Sequence, residues 1–300
     1  MIAAMKKRIT IADVMLHLIF ILLVLICLLP LVLVVSVSLT GQSEIVMNGY
    51  KFLPKAYTVE AYRYLFKTNT MIFNAYMVTI FTTVVGTFTN VLCMAMYAYP
   101  LSRRDFPYRK FFMWFILITM LISGGIVPAY IINTKFLHLK NTIWALILPS
   151  LGGGFNIIVM RTFFSGSIPH ELIESAQLDG CGETGIFFKM ILPLSKPVLA
   201  TMALMNIFGY WNNWINSMYY ITEPKLYSLQ YMMQKAIINL QFLQQSASSG
   251  NSNEMQNAVS IPEDSVRMAM VVLGAGPIVI VYPFFQKYFT KGMTIGSVKG

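Results

Sequence analysis

The sequence predicts an all-α membrane protein with six transmembrane helices, and three observations predict it. Hydrophobic residues make up 56% of the 300 and charged residues only 11%, whereas soluble domains carry about 25% charged residues. The apolar residues fall into six runs, each near the ~20 residues that a spanning helix needs. The basic residues gather between those runs, where they set orientation. An ordinary soluble enzyme of this length needs more polar surface than the chain supplies. Disorder is excluded as well, because its signature is low hydrophobicity.

The first run covers about 14–38, from Val14 to Ser38. It follows Lys6, Lys7 and Arg8 but exceeds the roughly 7–15 apolar residues of a signal-peptide core, so it is expected to remain as an anchor. An outer loop over 40–70 leads to the second run, about 72–99. The short loop 100–110 then carries Arg103, Arg104, Arg109 and Lys110. The third run, about 111–131, contains Gly124, Gly125 and Pro128. The fourth, about 142–164, is interrupted by Pro149 and by Gly152, Gly153 and Gly154. Such breaks are tolerated at membrane depth where the backbone is buried or lines a cavity, and they read either as a gate hinge or as a packing kink. A long loop, 165–197, leads to the fifth run, about 198–220. An outer loop, 221–264, leads to the sixth, about 266–286. The middle of that outer loop, Gln244 to Asn257, is rich in Gln, Ser and Asn. Pro262, Glu263 and Asp264 then open the last helix, with acids at the positive end of its dipole. The whole chain, 1–300, reads as a single transmembrane domain.

Six spans put both ends on one side. The basic residues at the N-terminus and in the 100–110 loop place that side in the cytoplasm.

Several classes are excluded. A net charge of +10 without a zinc-finger spacing or a basic helix does not indicate nucleic acid. Cys27, Cys93 and Cys181 are too scattered for a disulfide framework or a metal site, and His17, His138 and His170 are scattered too. There is no Walker A loop, no H-E-x-x-H and no G-x-S-x-G, so neither a catalytic centre nor a cofactor is expected. Asp13 and Asp264 lie at span ends, leaving the spans almost free of acids, which weakens an ion-coupled carrier.

The loop 165–197 carries the strongest signal. Pro169 suits a first helical turn, Glu171 and Glu174 complement the dipole there, and Gly180 suits the C-terminal cap. A second short helix is expected from about Glu183 to Ile191, ending before Pro193. Ala176 and Gly180 are small and are expected to form a notch that a partner can approach closely. A helix merely lying on the membrane would carry a Lys/Arg-rich polar face, but Glu171, Glu174 and Asp179 dominate here.

This segment reads Glu174-Ser175-Ala176, three residues, Gly180, nine residues, Met190-Ile191-Leu192-Pro193. It resembles the EAA loop of the membrane subunits of binding-protein-dependent ABC importers, whose pattern is E-A-A, three residues, G, nine residues, I-x-L-P. Ser175 and Met190 depart from it but keep size or apolar character. The tail, Phe284 to Gly292 with Gly296, Lys299 and Gly300, resembles that of carbohydrate-importer permeases of the maltose-permease superfamily.

The resemblance implies a type I ABC importer permease in a bacterial cytoplasmic membrane. Its partners would be a second homologous permease, two ATP-binding subunits, an extracytoplasmic solute-binding protein and a sugar substrate. It implies that the EAA helix couples to the ATPase through Glu174, Ser175, Ala176, Gly180, Leu192 and Pro193. It also implies that an outer segment at about 241–254 can reach the receptor; a plain connecting loop is the other reading. Permeases for other solutes share the EAA pattern, and the tail favours sugar.

In the fifth run, Asn206, Tyr210, Asn213 and Ser217 are spaced as one helical face. They are candidates for the substrate pathway, since amides bond sugar hydroxyls and aromatic rings stack on sugars. Helix–helix hydrogen bonding, with an interfacial aromatic belt, accounts for the same pattern.

Overall fold

The computed structural model describes residues 11–68, 71–248 and 263–296. Lys6, Lys7 and Arg8, residues 249–257 of the polar outer stretch, Pro262, Lys299 and Gly300 lie outside the described residues. Among the described residues there are helices and no β-strand, with one isolated bridge between Thr40 and Tyr57. Among the described residues three helices are long and apolar enough to cross a membrane, and up to six spans result if each of three bent pairs counts as one.

The chain divides into two compact units. One comprises Met1–Asn69 with Ile237–Ala275, the other Thr70–Ala236 with Gly276–Gly300.

In the first unit the helix Ile11–Ser38 is apolar on every side, and none of its most hydrophobic stretch is buried. A helix hydrophobic all round belongs in lipid. Its buried residues, Ser36, Val37 and Ser38, lie at its end, where the Ser36 hydroxyl donates to the Phe52 carbonyl at 2.7 Å and the Thr40 hydroxyl to the Ser36 carbonyl at 2.8 Å. In the same unit Asp264 accepts hydrogen bonds from Gln42 Nε2 at 3.3 Å and from the Tyr50 hydroxyl at 3.0 Å. These tie the start of the last helix, Glu263–Gly296, to the segment after the first.

The second unit is built on Ile72–Ser102, which packs against Lys196–Trp211 and Gly154–Ser167. Small residues let membrane helices approach closely, and Gly86 does so here. A Cβ on Gly86 would lie 2.7 Å from the Tyr210 ring. Below that contact a core of Met94, Leu101, Met160, Ile186 and Ile191 is sealed from solvent.

Three of the predicted runs are not single straight helices. The third forms Arg109–Leu121 and Ile126–Phe136, bent by 113°. Gly125 sits at φ +83 in the break, and thirteen helical residues reach only about 20 Å. The fourth forms Ile143–Ser150 and Gly154–Ser167, bent by 57°, with Gly152 at φ +77.

The fifth departs most from expectation. Its helix stops at Trp211 and a new one runs over Ile215–Tyr220, so Asn206, Tyr210, Asn213 and Ser217 do not share one continuous helical face. The cause is local side-chain bonding that competes with the helix ladder. Asn212 Nδ2 donates to the Phe208 carbonyl at 3.0 Å, and Asn213 Oδ1 accepts from the Asn216 N–H at 3.1 Å. The second loop helix also differs. It runs past Ile191 through Pro193 to Leu194 and then bends by 80° into Lys196–Trp211. The path is not one regular helix: a π-helical turn over Phe187–Ile191 comes first, and Pro193 then stands in the opening positions of the short turn Leu192–Leu194, where a missing N–H is tolerated.

Candidate functional site

The loop helix occupies His170–Leu178, directly after Pro169. Its end is closed by two hydrogen bonds. The Gly180 N–H donates to the Gln177 carbonyl at 3.0 Å and the Cys181 N–H to the Ala176 carbonyl at 2.9 Å. This pairing defines a Schellman cap, which needs a left-handed residue, and Gly180 supplies it at φ +79.

The cap fixes which face is free. Ile173 and Ala176 are buried in the core with Met94, Ala98 and Ile186. Of the expected notch, Ala176 is taken up in seating the helix on its own chain, whereas Gly180 is exposed with nothing within 4 Å of where a Cβ would stand. The free face carries Glu171, Leu172, Glu174, Ser175 and Leu178, and Leu178 is 88% exposed. Leu192 is half-buried and Pro193 exposed, at the approach to the 80° bend.

Beneath this helix lies a cluster that sequence reasoning counted only as orienting charge. Arg103 is 6% exposed. Its Nε and Nη2 donate to Asp105 at 2.9 and 2.7 Å, and Nη2 lies 3.5 Å from Glu183 Oε1. The Tyr99 hydroxyl donates to Glu183 Oε2 at 2.6 Å, and Gln177 Nε2 donates to Glu183 Oε1 at 2.9 Å. The Arg103 hydrogen bonds hold the Asp105 carboxyl down at about 2, and the bond to Asp105 chiefly pushes the Arg103 guanidinium up. A cleft of about 480 Å³ adjoins the cluster, walled by Phe106, Phe187 and Phe188.

A second polar network lies within the predicted spans, around the break at 150–153. Asn90 Nδ2 donates to Asn206 Oδ1 at 2.6 Å and to the Ser150 carbonyl at 3.2 Å, while its Oδ1 accepts from the Gly152 N–H at 2.8 Å. The Tyr210 hydroxyl donates to the Ile147 carbonyl at 3.2 Å. Asn213 and Asn216 both donate to the Ser150 hydroxyl, at 3.1 and 3.0 Å. Ser217 Oγ accepts from the Ser228 N–H at 3.1 Å. All four pathway candidates thus have partners inside the chain, and Asn206, Tyr210 and Ser217 are buried. Broken backbone in a membrane must have its polar groups satisfied internally, and these side chains do that.

Among the described residues no group of His, Cys, Asp and Glu is placed to hold a metal ion. An apolar groove of about 860 Å³ runs along Ile72–Ser102, Lys196–Trp211 and the Pro277–Phe285 stretch of the last helix. Thr83 and Thr87 line it with buried hydroxyls that have no hydrogen-bond partner among the described residues.

A family model described as the binding-protein-dependent transport system inner membrane component matches residues 92–295. The chain belongs to that family. This permease is 37% identical over 99% of its length, and 100% of the relative's, to the polygalacturonan/rhamnogalacturonan transport system permease YtcP of Bacillus subtilis. It is 30% identical to the arabinooligosaccharide permease AraQ of Halalkalibacterium halodurans, over 90% of this chain and 91% of that one. A crystal structure of a bacterial ABC transporter involved in the import of the acidic polysaccharide alginate matches 96% of the permease. It does so with a TM-score of 0.78 and 27% identity, over 100% of the matched chain. Members of the family are inner-membrane permeases, not enzymes themselves, and work with ATPase and substrate-binding partners.

Proposed function

We propose that this permease imports a sugar or oligosaccharide across the bacterial cytoplasmic membrane, driven by ATP. The observation that carries the substrate class is the set of saccharide permeases that match it nearly end to end. In this reading both chain ends are cytoplasmic, two ATP-binding subunits dock on the 165–197 loop, and a solute-binding protein docks outside. A second, homologous permease completes the pathway. The apolar groove with its two unpartnered hydroxyls supports a further surface meeting this one, since buried polar groups seek partners.

Coupling is proposed at the loop helix. Glu174 and Ser175, with Leu172 and Leu178, form the face offered to the ATPase. An apolar side chain ringed by acids fits a groove that is greasy at its floor and basic at its rim. Ala176, Gly180, Leu192 and Pro193 act by shape: one seats the helix, one closes it, and two stand where the chain turns into the next span. We infer that Asn206, Tyr210, Asn213 and Ser217 hold the broken helices together and do not read the solute, because each already spends its hydrogen bonds within the chain.

The test is uptake by cells lacking this permease, with and without the chain restored. Labelled galacturonan, arabino- and malto-oligosaccharides would be compared with a dipeptide. Uptake confined to one saccharide class, and lost when the ATPase is removed, is expected. Dipeptide uptake would overturn the substrate class. Saccharide uptake that survives loss of the ATPase but collapses with a protonophore would overturn the ATP-driven mechanism.

A further inference from the structure

A docked loop helix is useful only if its movement reaches a spanning helix. The chain itself offers two routes, one at each end of the loop. At the downstream end the route passes through an 80° bend, which is a poor lever. A third route runs through space, to the end of Ile72–Ser102, and it is built of polar groups.

Glu183 is its centre. Its Oε1 accepts from Gln177 on the loop helix at 2.9 Å and lies 3.5 Å from Arg103 Nη2. Its Oε2 accepts from the Tyr99 hydroxyl at 2.6 Å. Arg103 Nη1 in turn reaches the Tyr99 hydroxyl at 3.4 Å. One carboxylate therefore joins both loop helices to the last turn of the long helix. Packing reinforces the joint, with the Tyr99 and Phe187 rings 5.5 Å apart. Charge-assisted bonds of this kind are directional as well as strong. Asp105 already pairs Arg103 bidentately. Glu183 is therefore not needed to neutralise a buried charge, and its side chain is 57% exposed. Its bonds are spent on connection.

We propose that Glu183, gripped by Tyr99 and Arg103, is a positioning residue that passes displacement of the loop helix to the Ile72–Ser102 helix. The inference rests on the docking of the loop helix on the ATPase. Removing the joint leaves the ATPase docked but lets the loop helix move without carrying the long helix with it.

The experiment uses the complete importer in lipid nanodiscs, with ATPase and substrate-loaded receptor. The reading is the ratio of receptor-stimulated to unstimulated ATP hydrolysis. Glu183→Ala is expected to lower that ratio roughly two- to thirtyfold, the span of residues that tune coupling between sites, while the ATPase still co-purifies in full yield. Glu183→Gln, which can still accept from Tyr99, should fall between Glu183→Ala and the wild type. Tyr99→Phe should lower the ratio too, and the Tyr99→Phe, Glu183→Ala double variant should be no worse than the poorer single variant. If the joint only holds the fold, Glu183→Ala will reduce melting temperature and yield while the surviving complex keeps the wild-type ratio. That result overturns the proposal. Leu178→Glu separates it from the docking reading, because it should abolish ATPase co-purification. If Leu178→Glu co-purifies normally, docking fails and the relay fails with it. If it does not co-purify but Glu183→Ala keeps its ratio, only the relay fails.

Discussion

Asn90→Ala is the most informative single change in the membrane-depth network. Asn90 makes three hydrogen bonds, to Asn206 Oδ1 at 2.6 Å, the Ser150 carbonyl at 3.2 Å and the Gly152 N–H at 2.8 Å. Two of the partners are backbone groups freed by the break at 150–153, and Asn90 itself is only 3% exposed. Hydrogen bonds between membrane helices average about 0.6 kcal/mol and reach about 1.7. Three lost together come to about 2–5 kcal/mol, less whatever an entering water restores. Asn206→Ala should cost less, because the two backbone groups keep Asn90. The pair should be non-additive by about the value of their shared bond. Unfolding of the detergent-solubilised complex in graded denaturing micelles measures all three, alongside uptake of several oligosaccharides. An unchanged stability with a reordered preference among sugars would refute the reasoning, because it would mean that these amides face the solute.

Three further outcomes are expected. Gly86→Ala should lower the melting temperature by the equivalent of about 1–3 kcal/mol of overpacking, because its Cβ would meet the Tyr210 ring at 2.7 Å; Tyr210→Ala in the same chain should relieve most of that loss. Gly180→Ala forces a Cβ into the left-handed region at φ +79, at a cost of about 1–2 kcal/mol, and should speed amide exchange at position 180 and at Cys181 while leaving the spans unaffected. The Asp105 carboxyl is held at about 2 by Arg103, below its ordinary value of about 3.9. A lowered carboxyl contributes stability above the ordinary value and loses it as pH falls through the lowered one. Melting temperature should therefore carry an Asp105-dependent loss between about pH 4 and 2, absent in Asp105→Asn.

The spans that were easiest to read from sequence are those in which hydrophobicity alone decides. Ile11–Ser38 and Ile72–Ser102 stand near the predicted 14–38 and 72–99, because nothing in either interrupts the apolar run strongly enough to end it. The breaks near Gly125 and Gly152 were marked by glycines and prolines, whose backbone freedom is local and visible. The break after Trp211 was not. Asn212 and Asn213 sit at spacings that suit a helix, and only their bonds to Phe208 and Asn216 disclose that they end one helix and start another. The loop helix was legible with its cap, but the burial of Ala176 was not. A small residue such as Ala176 fits an exposed notch and a tight buried seat equally well, and only its place in the core cluster that also holds Met94 and Ala98 decides. The Arg103–Glu183 joint had no local signature, because its halves belong to different loops.

The helix Ile11–Ser38 has a consequence for how this gene tolerates change. None of its most hydrophobic stretch is buried among the described residues, so exchanging one aliphatic side chain for another there disturbs no enclosed packing. A Leu-to-Val exchange should pass almost unnoticed by the folded subunit, and only a charge should be refused. Along Ile72–Ser102, where Met94, Ala95 and Ala98 are fully enclosed, the same exchange meets a close-packed wall. Random mutagenesis should thus yield two kinds of spanning segment in one protein. One is policed by the bilayer for greasiness alone, and the other by its neighbours for shape.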